Sequence, residues 1–458
     1  MTSHLTAGHL ALGTATASYQ IEGATTVDGR GPSIWDTFAT RPGAIRDGSD
    51  GSDACHSYER LDDDLALLDE LGAEIYRFSV AWPRVQPNGS GPVEPRGLGY
   101  YDRLVDGLLA REIRPMATLY HWDLPQALQD AGGWPARDTA ERFADYTELV
   151  HERLRDRVGL WGTLNEPWCS AYLGYGAGTH APGERNAEQA HRAAHHLMLA
   201  HGLAAARLHQ RGNDGVGLAL NLAPIWPERR EAAEAARAVD ALRNRVWLGA
   251  LVDGAYDSEL VQLAPVLGDP ALVQDGDLDL VQGSADWLGV NYYHPVRVDV
   301  RGSDRGGVGE NPDAYPGIQD VSFTPRPPTT AMGWEIEPRG LEELLLGVHR
   351  RTGLPLVVTE NGAAFDDTVR GPDGRVEDHD RIDYLREHLL AVERARGAGA
   401  DVRGYLAWTL LDNFEWGEGY TKTFGLVEVD RADGRRTPKA SFRWMAQLAH
   451  AGTPLPTV

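Results

Sequence analysis

Eight short runs rich in β-branched, aromatic and other apolar residues recur along the chain, at 10–17, 73–79, 113–119, 158–164, 215–221, 285–292, 354–360 and 402–409. Helical patterns fall between them, and this alternation is what most restricts the possible folds. Tyr58–Leu71, Thr139–Arg157, Ala187–Arg211, Glu231–Asp253, Gly340–Arg351 and Arg381–Arg396 each place apolar residues at helical spacing. Runs such as LPLVVTE and VGLALNL are apolar almost residue by residue, as in parallel strands covered on both faces. Eight strand–helix repeats predict an α/β fold, a (β/α)8 TIM barrel with extended βα loops, ahead of an open doubly wound sheet. No Pro/Gly/Ser linker divides the 458 residues, so a single barrel domain is expected over 1–458. One long stretch, Arg297–Met332, is rich in Gly, Asp and Pro and reads as irregular. Lying between the sixth and seventh strands, it is predicted to overhang the carboxyl-end face.

Charge narrows the partners. With 44 basic and 67 acidic side chains the net charge is −23, which repels phosphate backbones and anionic headgroups, and no basic patch interrupts it. Neither nucleic acid nor membrane is expected as a partner, and the oligomeric state is not legible. No apolar run approaches the roughly 18 residues that a membrane span needs. Residues Met1–Leu10 hold no basic cluster followed by an apolar core, so a cytoplasmic protein is expected. Cys55 and Cys169 are too few for a disulfide framework and read as reduced, buried thiols.

In a barrel, polar residues just after each strand face the mouth where chemistry is kept. The fourth run ends in Thr163-Leu164-Asn165-Glu166-Pro167 and the seventh in Thr359-Glu360-Asn361-Gly362. The other run ends supply Gln20 and Glu22, Arg77 with Trp82, His121-Trp122, Asn221, Asn291 with Tyr293, and Trp408 followed by Asp412 to Trp416. Amides and carboxylates bond hydroxyls, while indole faces stack on the C–H face of a sugar ring. Such a lining suits a small, neutral carbohydrate. A lone strand-end Glu is more often a solvated loop residue than a catalyst, but two among aromatics fit glycoside hydrolysis, which uses an acid and a second carboxylate.

Nine motifs in this order, GTATASYQIEG, SIWDTF, YRFSVAWPRV, YHWDLPQAL, TLNEPW, WLGVNYY, MGWEI, VVTENG and DNFEWGEGYTKTFGLVEVD, resemble the family 1 β-glycosidases, of the β-glucosidase type. The likeness runs from about Gly13 to Trp444. It implies a retaining, exo-acting β-glucosidase without metal or organic cofactor, with Glu166 as acid/base and Glu360 as nucleophile. It also implies that Asn165 bonds the sugar 2-hydroxyl, that Arg77 and Tyr293 support the nucleophile, and that Gln20, His121, Glu415 and Trp416 read the remaining hydroxyls. Trp408 becomes the stacking floor, and Trp122, Asn291, Trp334 and Phe424 complete the substrate-binding set, Trp334 towards the leaving group. Arg77 and Tyr293 are expected to keep Glu360 ionised, and that anion to keep Glu166 protonated. The alternatives are a non-catalytic sugar-binding barrel, a 6-phospho-β-glycosidase and a glycosyl transferase. One departure is Leu10-Ala11-Leu12-Gly13, where the family has a Phe-x-Trp-Gly start to the first strand; it lies at the stability end of the barrel.

Weaker signals have ordinary readings. His191, His195 and His196 on an Ala-rich helix read as surface or packing residues, since no third ligand is near in sequence. RDGSDGSDA at Arg46–Ala54 lacks the final Glu of a calcium loop and reads as a solvated turn. GYGAG at Gly174–Gly178 does not have the setting of a nucleotide loop. Trp134, Trp226 and Trp247 are expected to pack in the core or rim.

Overall fold

The computed structural model describes residues 5–213, 215–300 and 310–451. Eight parallel strands close into a barrel: β1 Ala11–Ala15, β2 Ile75–Ser79, β3 Arg114–Tyr120, β4 Leu160–Asn165, β5 Val216–Leu220, β6 Trp287–Asn291, β7 Leu356–Asn361 and β8 Val402–Trp408. They follow one another round the ring, and β8 closes on β1 with Gly404 opposite Ala11 and Trp408 opposite Ala15. All eight expected strands are present. Every residue of β2, β4, β5, β6 and β7 is buried, which is why their sequences are apolar over most of their length and turn polar chiefly towards their carboxyl ends.

A major helix follows each strand: α1 Leu61–Leu71, α2 Pro95–Leu109, α3 Arg137–Leu154, α4 Ala187–Gln210, α5 Ala233–Asp240, α6 Pro338–Thr352, α7 His379–Gly397 and α8 Ala440–Ala451. The sequence reading missed α2 and α8. In α2 the glycines of PRGLGYYDRLVDGLL hide the pattern, yet Pro95 fits the first turn and the Glu94 side chain caps it by accepting from Arg96 N. The helix expected over Glu231–Asp253 is not continuous. It begins as a 3₁₀ turn, runs through α5, and widens into π-helical turns at Ala241–Arg245 and Gly249–Asp253.

The segment Arg297–Met332 is not irregular throughout. Val296–Val300 pairs with Ile225–Pro227 on one side and Val321–Phe323 on the other, forming a three-stranded sheet beside the barrel. The short β-branched runs were masked by their Gly- and Pro-rich surroundings; residues 301–309 lie outside the described residues. The Arg297 guanidinium lies 4.8 Å from the Trp226 ring centre on that sheet. At the departure in β1, Ala11 is buried and Leu10 and Leu12 half-buried. Gly13 is required there, because a Cβ would stand 1.9 Å from the Ile75 carbonyl oxygen of β2.

The α4 histidines are packing residues and do not lie on the surface. His191 meets the Tyr172 hydroxyl, His195 lies between Asp277 and Tyr256, and His196 faces the Trp134 carbonyl. In the Asp-rich turn, Asp47 accepts from Ser49 N and Tyr420 N and Asp50 from Ser52 N, so these carboxylates serve backbone amides. Cys55 and Cys169 are both free and buried. Among the described residues no helix is long and apolar enough to cross a membrane.

Between α3 and the barrel, Trp82 stacks on Tyr146 at 4.9 Å and meets Phe143 at 5.6 Å, while Phe143 also touches Trp134. Trp82 and Trp134 are fully buried. Phe143→Ala would open a cavity in this cluster and destabilise the fold by about 3–5 kcal/mol. Urea unfolding followed by tryptophan fluorescence measures it; an unshifted midpoint would show that α3 does not depend on the cluster.

Candidate active site

Arg77, in the middle of β2 and 1% exposed, organises the carboxyl-end face. Its Nε donates to Thr118 Oγ1 of β3 at 3.0 Å, one terminal nitrogen to Asn165 Oδ1 of β4 at 2.6 Å, and the other to Glu360 Oε1 of β7 at 2.6 Å. The second oxygen of Glu360 accepts from the Tyr293 hydroxyl at 2.7 Å. Glu360 thus has a cation on one oxygen and a phenol on the other. Beyond it, Gly362 passes so close to Trp408 that a Cβ would lie 1.8 Å from the Trp408 carbonyl oxygen.

Glu166 directly follows β4 and takes a left-handed backbone, φ +46°, which few non-glycine residues adopt without surrounding support. Its amide donates to the Ala219 carbonyl of β5. Its Oε1 accepts from Asn291 Nδ2 of β6 at 2.6 Å and its Oε2 from the Cys169 thiol at 3.1 Å. Asn291 is itself fixed, because its Oδ1 accepts from Thr359 Oγ1 at 2.6 Å and its Nδ2 also reaches Asn165 Oδ1. A continuous chain of polar contacts therefore runs from Glu360 through Arg77, Asn165 and Asn291 to Glu166.

Burial raises both carboxyls. Glu360 is pushed up to about 7 by burial and by the charge of Glu166, against the pull of Arg77 and Tyr293. Glu166 is raised by burial, against Asn291, Cys169, Arg243 and Arg77. The expectation that Arg77 and Tyr293 would hold Glu360 ionised identifies the right partners, but desolvation outweighs them. What the geometry separates is the placement of charge within the pair. Glu360 contacts a cation, Glu166 contacts only an amide and a thiol, and the two repel when both are ionised, so the contacts favour Glu360 over Glu166 as the site of a shared negative charge.

Around the pair lies a cavity of about 510 Å³. His121, Trp122, Asn291, Tyr293, Trp334, Trp408, Glu415, Trp416 and Phe424 line it with the two glutamates; Gln20, Arg77 and Asn165 are hydrogen-bonded directly to the lining residues Glu415, Glu360 and Asn291. Trp408 and Trp416 lie nearly parallel to the His121 ring at 5.8 and 6.0 Å. Trp334 meets Tyr293 at 5.2 Å and Phe424 at 6.0 Å, forming a second aromatic group. Trp122 and Trp416 also have positive φ, +76° and +48°. Arg77 and Asn291 both donate to Asn165 Oδ1, so its Nδ2 faces His121 Nε2 at 3.0 Å as the donor. That fixes the His121 proton on Nδ1, and burial keeps the ring neutral. Gln20 Nε2 bonds the Phe414 carbonyl at 2.9 Å and Glu415 Oε2 at 3.3 Å. Burial, with Glu360 and Glu166 next, pushes Glu415 up to about 8.

Three expected mouth residues lie elsewhere. Glu22 pairs with Arg84 and Tyr101, Trp82 belongs to the α3 cluster, and Asp412 binds Lys439. Residues absent from the sequence reading of the site also join the lining, among them Trp168, Cys169, Arg243 and His294. Arg243 stacks on Trp168 at 4.2 Å and pairs with Glu310, which accepts from Tyr315. Its signal was hidden inside a helical pattern, whereas Cys169, three residues after Glu166, was open to notice.

The sequence profile described as Glycosyl hydrolase family 1 matches residues 3–453. The chain belongs to that family. The thermostable β-glucosidase B of Thermobispora bispora is 48% identical over 435 residues, 94% of this chain and 88% of that protein. A bifunctional β-D-glucosidase/β-D-fucosidase of Bifidobacterium breve is 48% identical over 445 residues, 94% of this chain and 95% of its own. A psychrophilic β-glucosidase from Micrococcus antarcticus superposes with a TM-score of 0.93 at 44% identity, covering 97% of each chain. One from Thermotoga maritima, solved with noeuromycin, gives 0.89 at 39% identity, covering 97% of this chain and 98% of that one.

For this family 1 member, Arg77→Lys keeps the charge but cannot span Thr118, Asn165 and Glu360 together, and kcat/KM should fall at least about tenfold, about 1.4 kcal/mol. Arg77→Met removes the cation, so the Glu360 carboxyl titrates at higher pH and the acid limb of the pH–rate profile should move up. Profiles of both variants, after circular dichroism shows them folded, provide the check. An unmoved acid limb in Arg77→Met would detach Arg77 from the ionisation of Glu360.

Proposed function

We propose that this protein is a retaining, exo-acting β-glucosidase, removing terminal β-D-glucosyl residues from cello-oligosaccharides or aryl and alkyl glucosides. The observation that carries the reading is the unlike support of two carboxyls in one cavity: Glu360 on a guanidinium and a phenol, Glu166 on an amide and a thiol. In the first step Glu360 attacks the anomeric carbon while Glu166 gives its proton to the departing oxygen, and a glycosyl–Glu360 ester forms. The charge on Glu360 is then gone. Glu166, now a carboxylate, takes a proton from water as the oxygen attacks the ester carbon, and Glu360 leaves. Both steps are completed by these two side chains and water, so no cofactor is required.

Sugar recognition follows from the lining. Gln20 Oε1 and His121 Nδ1 are buried without a protein partner. Such orphans each cost about 1–3 kcal/mol, and sugar hydroxyls can relieve that. Asn165, Trp122, Asn291, Glu415 and Trp416 would surround the rest of the glycone, with Trp408 beneath it and Trp334 and Phe424 towards the aglycone. The same reading has one catalytic domain acting on small carbohydrates in the cytoplasm. Relatives named β-glucosidases, and Thermotoga maritima structures with noeuromycin and deoxynojirimycin, support it.

Azide tests the roles. Glu360→Ala should lose hydrolysis and, with azide, give the α-glycosyl azide; Glu166→Ala should keep its first step on good leaving groups and give the β-azide. Exchange of these products would reverse the assignments.

Glu415 also bears on the 6-phosphoglycoside alternative. Its raised titration weakens simple charge repulsion near neutrality, but a phosphate dianion there would still meet clustered carboxyls, with Arg77 and Arg243 already paired to Glu360 and Glu310. Nitrophenyl β-glucoside should be preferred to its 6-phosphate by at least about tenfold, with the margin shrinking in Glu415→Ser. A wild-type preference for the phosphorylated compound would overturn the glycone reading.

A further inference from the structure

The Cys169 thiol lies in the densest part of the site and has no part in the two steps above. The residue is 6% exposed and opens the π-helical segment Cys169–Ala177, just after the left-handed turn at Glu166. Its amide donates to the Glu166 carbonyl at 3.0 Å, which completes that turn. Its Sγ–H reaches Glu166 Oε2 at 3.1 Å, and Asn221 Nδ2, following β5, donates to the same sulfur at 3.3 Å. The amide aims the thiol. With a hydrogen atom of Asn221 on the sulfur lone pair, the remaining S–H is directed at the carboxyl and polarised towards it. Asn291 holds the other oxygen, so Glu166 has a donor on each side.

We propose that Cys169, oriented by Asn221, is a positioning residue for Glu166, giving the acid/base carboxyl its second hydrogen-bond donor and fixing the rotamer from which it transfers its proton. This rests on the assignment of Glu166 as acid/base. Burial pushes the Cys169 thiol well above its ordinary range, so it stays S–H wherever the enzyme works and acts as a donor, never as a thiolate. A donor on Oε2 favours the carboxylate over the carboxylic acid, which makes Glu166 a stronger acid in the first step. The other groups bearing on its titration are Glu360 from β7, Tyr293 after β6, Arg77 from β2, Arg243 with its partner Glu310, and Glu415 after β8. Glu360 and Glu415 oppose ionisation of Glu166, while Arg77 and Arg243 favour it. Cys169 is the neutral member of this set that touches the reacting carboxyl from its own segment.

The test uses Cys169→Ala, Cys169→Ser and the wild type, each shown by thermal melting to be folded. Loss of the donor raises the pH at which Glu166 ionises, so the alkaline limb of kcat/KM should move up by about half a pH unit or more in Cys169→Ala. Its kcat/KM at neutral pH should fall about tenfold for cellobiose, whose leaving group needs protonation, and change less than about twofold for dinitrophenyl β-glucoside, whose leaving group does not. Cys169→Ser retains a donor and should restore both the limb and the ratio of the two substrates. An alkaline limb in Cys169→Ala that coincides with the wild type would overturn the proposal. So would equal losses on both substrates, or a folded serine variant that behaves like alanine. If Glu166→Ala fails to give the β-azide, the acid/base assignment has failed; if it gives that product and the limb does not move, only the role of Cys169 has failed.

Discussion

A single buried guanidinium ties the catalytic face together. Arg77 leaves β2 and spends its fork on β3, β4 and β7, with contacts of 3.0 Å to Thr118 and 2.6 Å to each of Asn165 and Glu360. Lysine's ammonium could not reach these divergent acceptors from one position, whereas a planar fork meets them at fixed angles. Burying such a charge is costly unless it is paired and hydrogen-bonded, and the paired Glu360 is as deeply buried as Arg77 itself. Four strands must keep their register for the contacts to form, so barrel closure and the placing of the carboxyls are one problem.

From that fixed point the rest of the site is held by backbone that is uncommon elsewhere. Glu166, Trp122 and Trp416 all have positive φ, and each lies on a different βα loop at the cavity. Conformations of this kind persist only where neighbours over-determine them. For Glu166 these neighbours are Ala219, Asn291 and Cys169; for Trp122, its indole N–H donates to the Asn165 carbonyl at 3.0 Å and its ring meets Trp416 at 4.5 Å. The π-helical turn after β4 belongs to the same pattern, since such turns cluster at functional sites. Rigid side-chain placement on strained loops is what gives two ordinary carboxyls unlike surroundings.

Most of this was open to reading from the sequence. The eight strands follow from near-continuous apolar runs; the placing of Glu166, Glu360 and Asn291 follows from their position at strand ends together with the motif order, and that of Arg77, inside β2, from the motif order. Three things resisted. Helix α2 is written in Gly and Pro, whose local meaning is loop, and only the packing of its apolar face overrides that. The small sheet of Val296–Val300 and Val321–Phe323 consists of runs too short to stand out from their Gly- and Asp-rich neighbours. Strand-end position alone cannot say which way a side chain turns, and so Glu22 and Asp412, plausible as mouth residues, prove to belong to ion pairs behind the barrel wall. Arg243 shows the converse. A helix read for its apolar stripe gave no reason to send one cation into the cavity beside Trp168.

The electrostatics of the cavity follow from this arrangement. Glu166, Glu360 and Glu415 share one desolvated space, where Glu166 adds to the raised titration of Glu360 and both add to that of Glu415. Arg77 offsets part of that charge, while Arg243 is already paired with Glu310. The cavity is therefore poised to hold somewhat less negative charge than its carboxyls could carry, and any positive charge developing within it is stabilised at short range in a medium of low dielectric. Glycoside cleavage develops such a charge at the anomeric carbon as the oxocarbenium-like transition state forms. A neutral sugar brings no compensating charge in the ground state, so the attraction grows along the reaction and lowers the barrier without tightening substrate binding equally. A permanently charged anionic ligand would forfeit that gain, which explains why a cluster of carboxyls, costly to bury on its own, is matched to this chemistry.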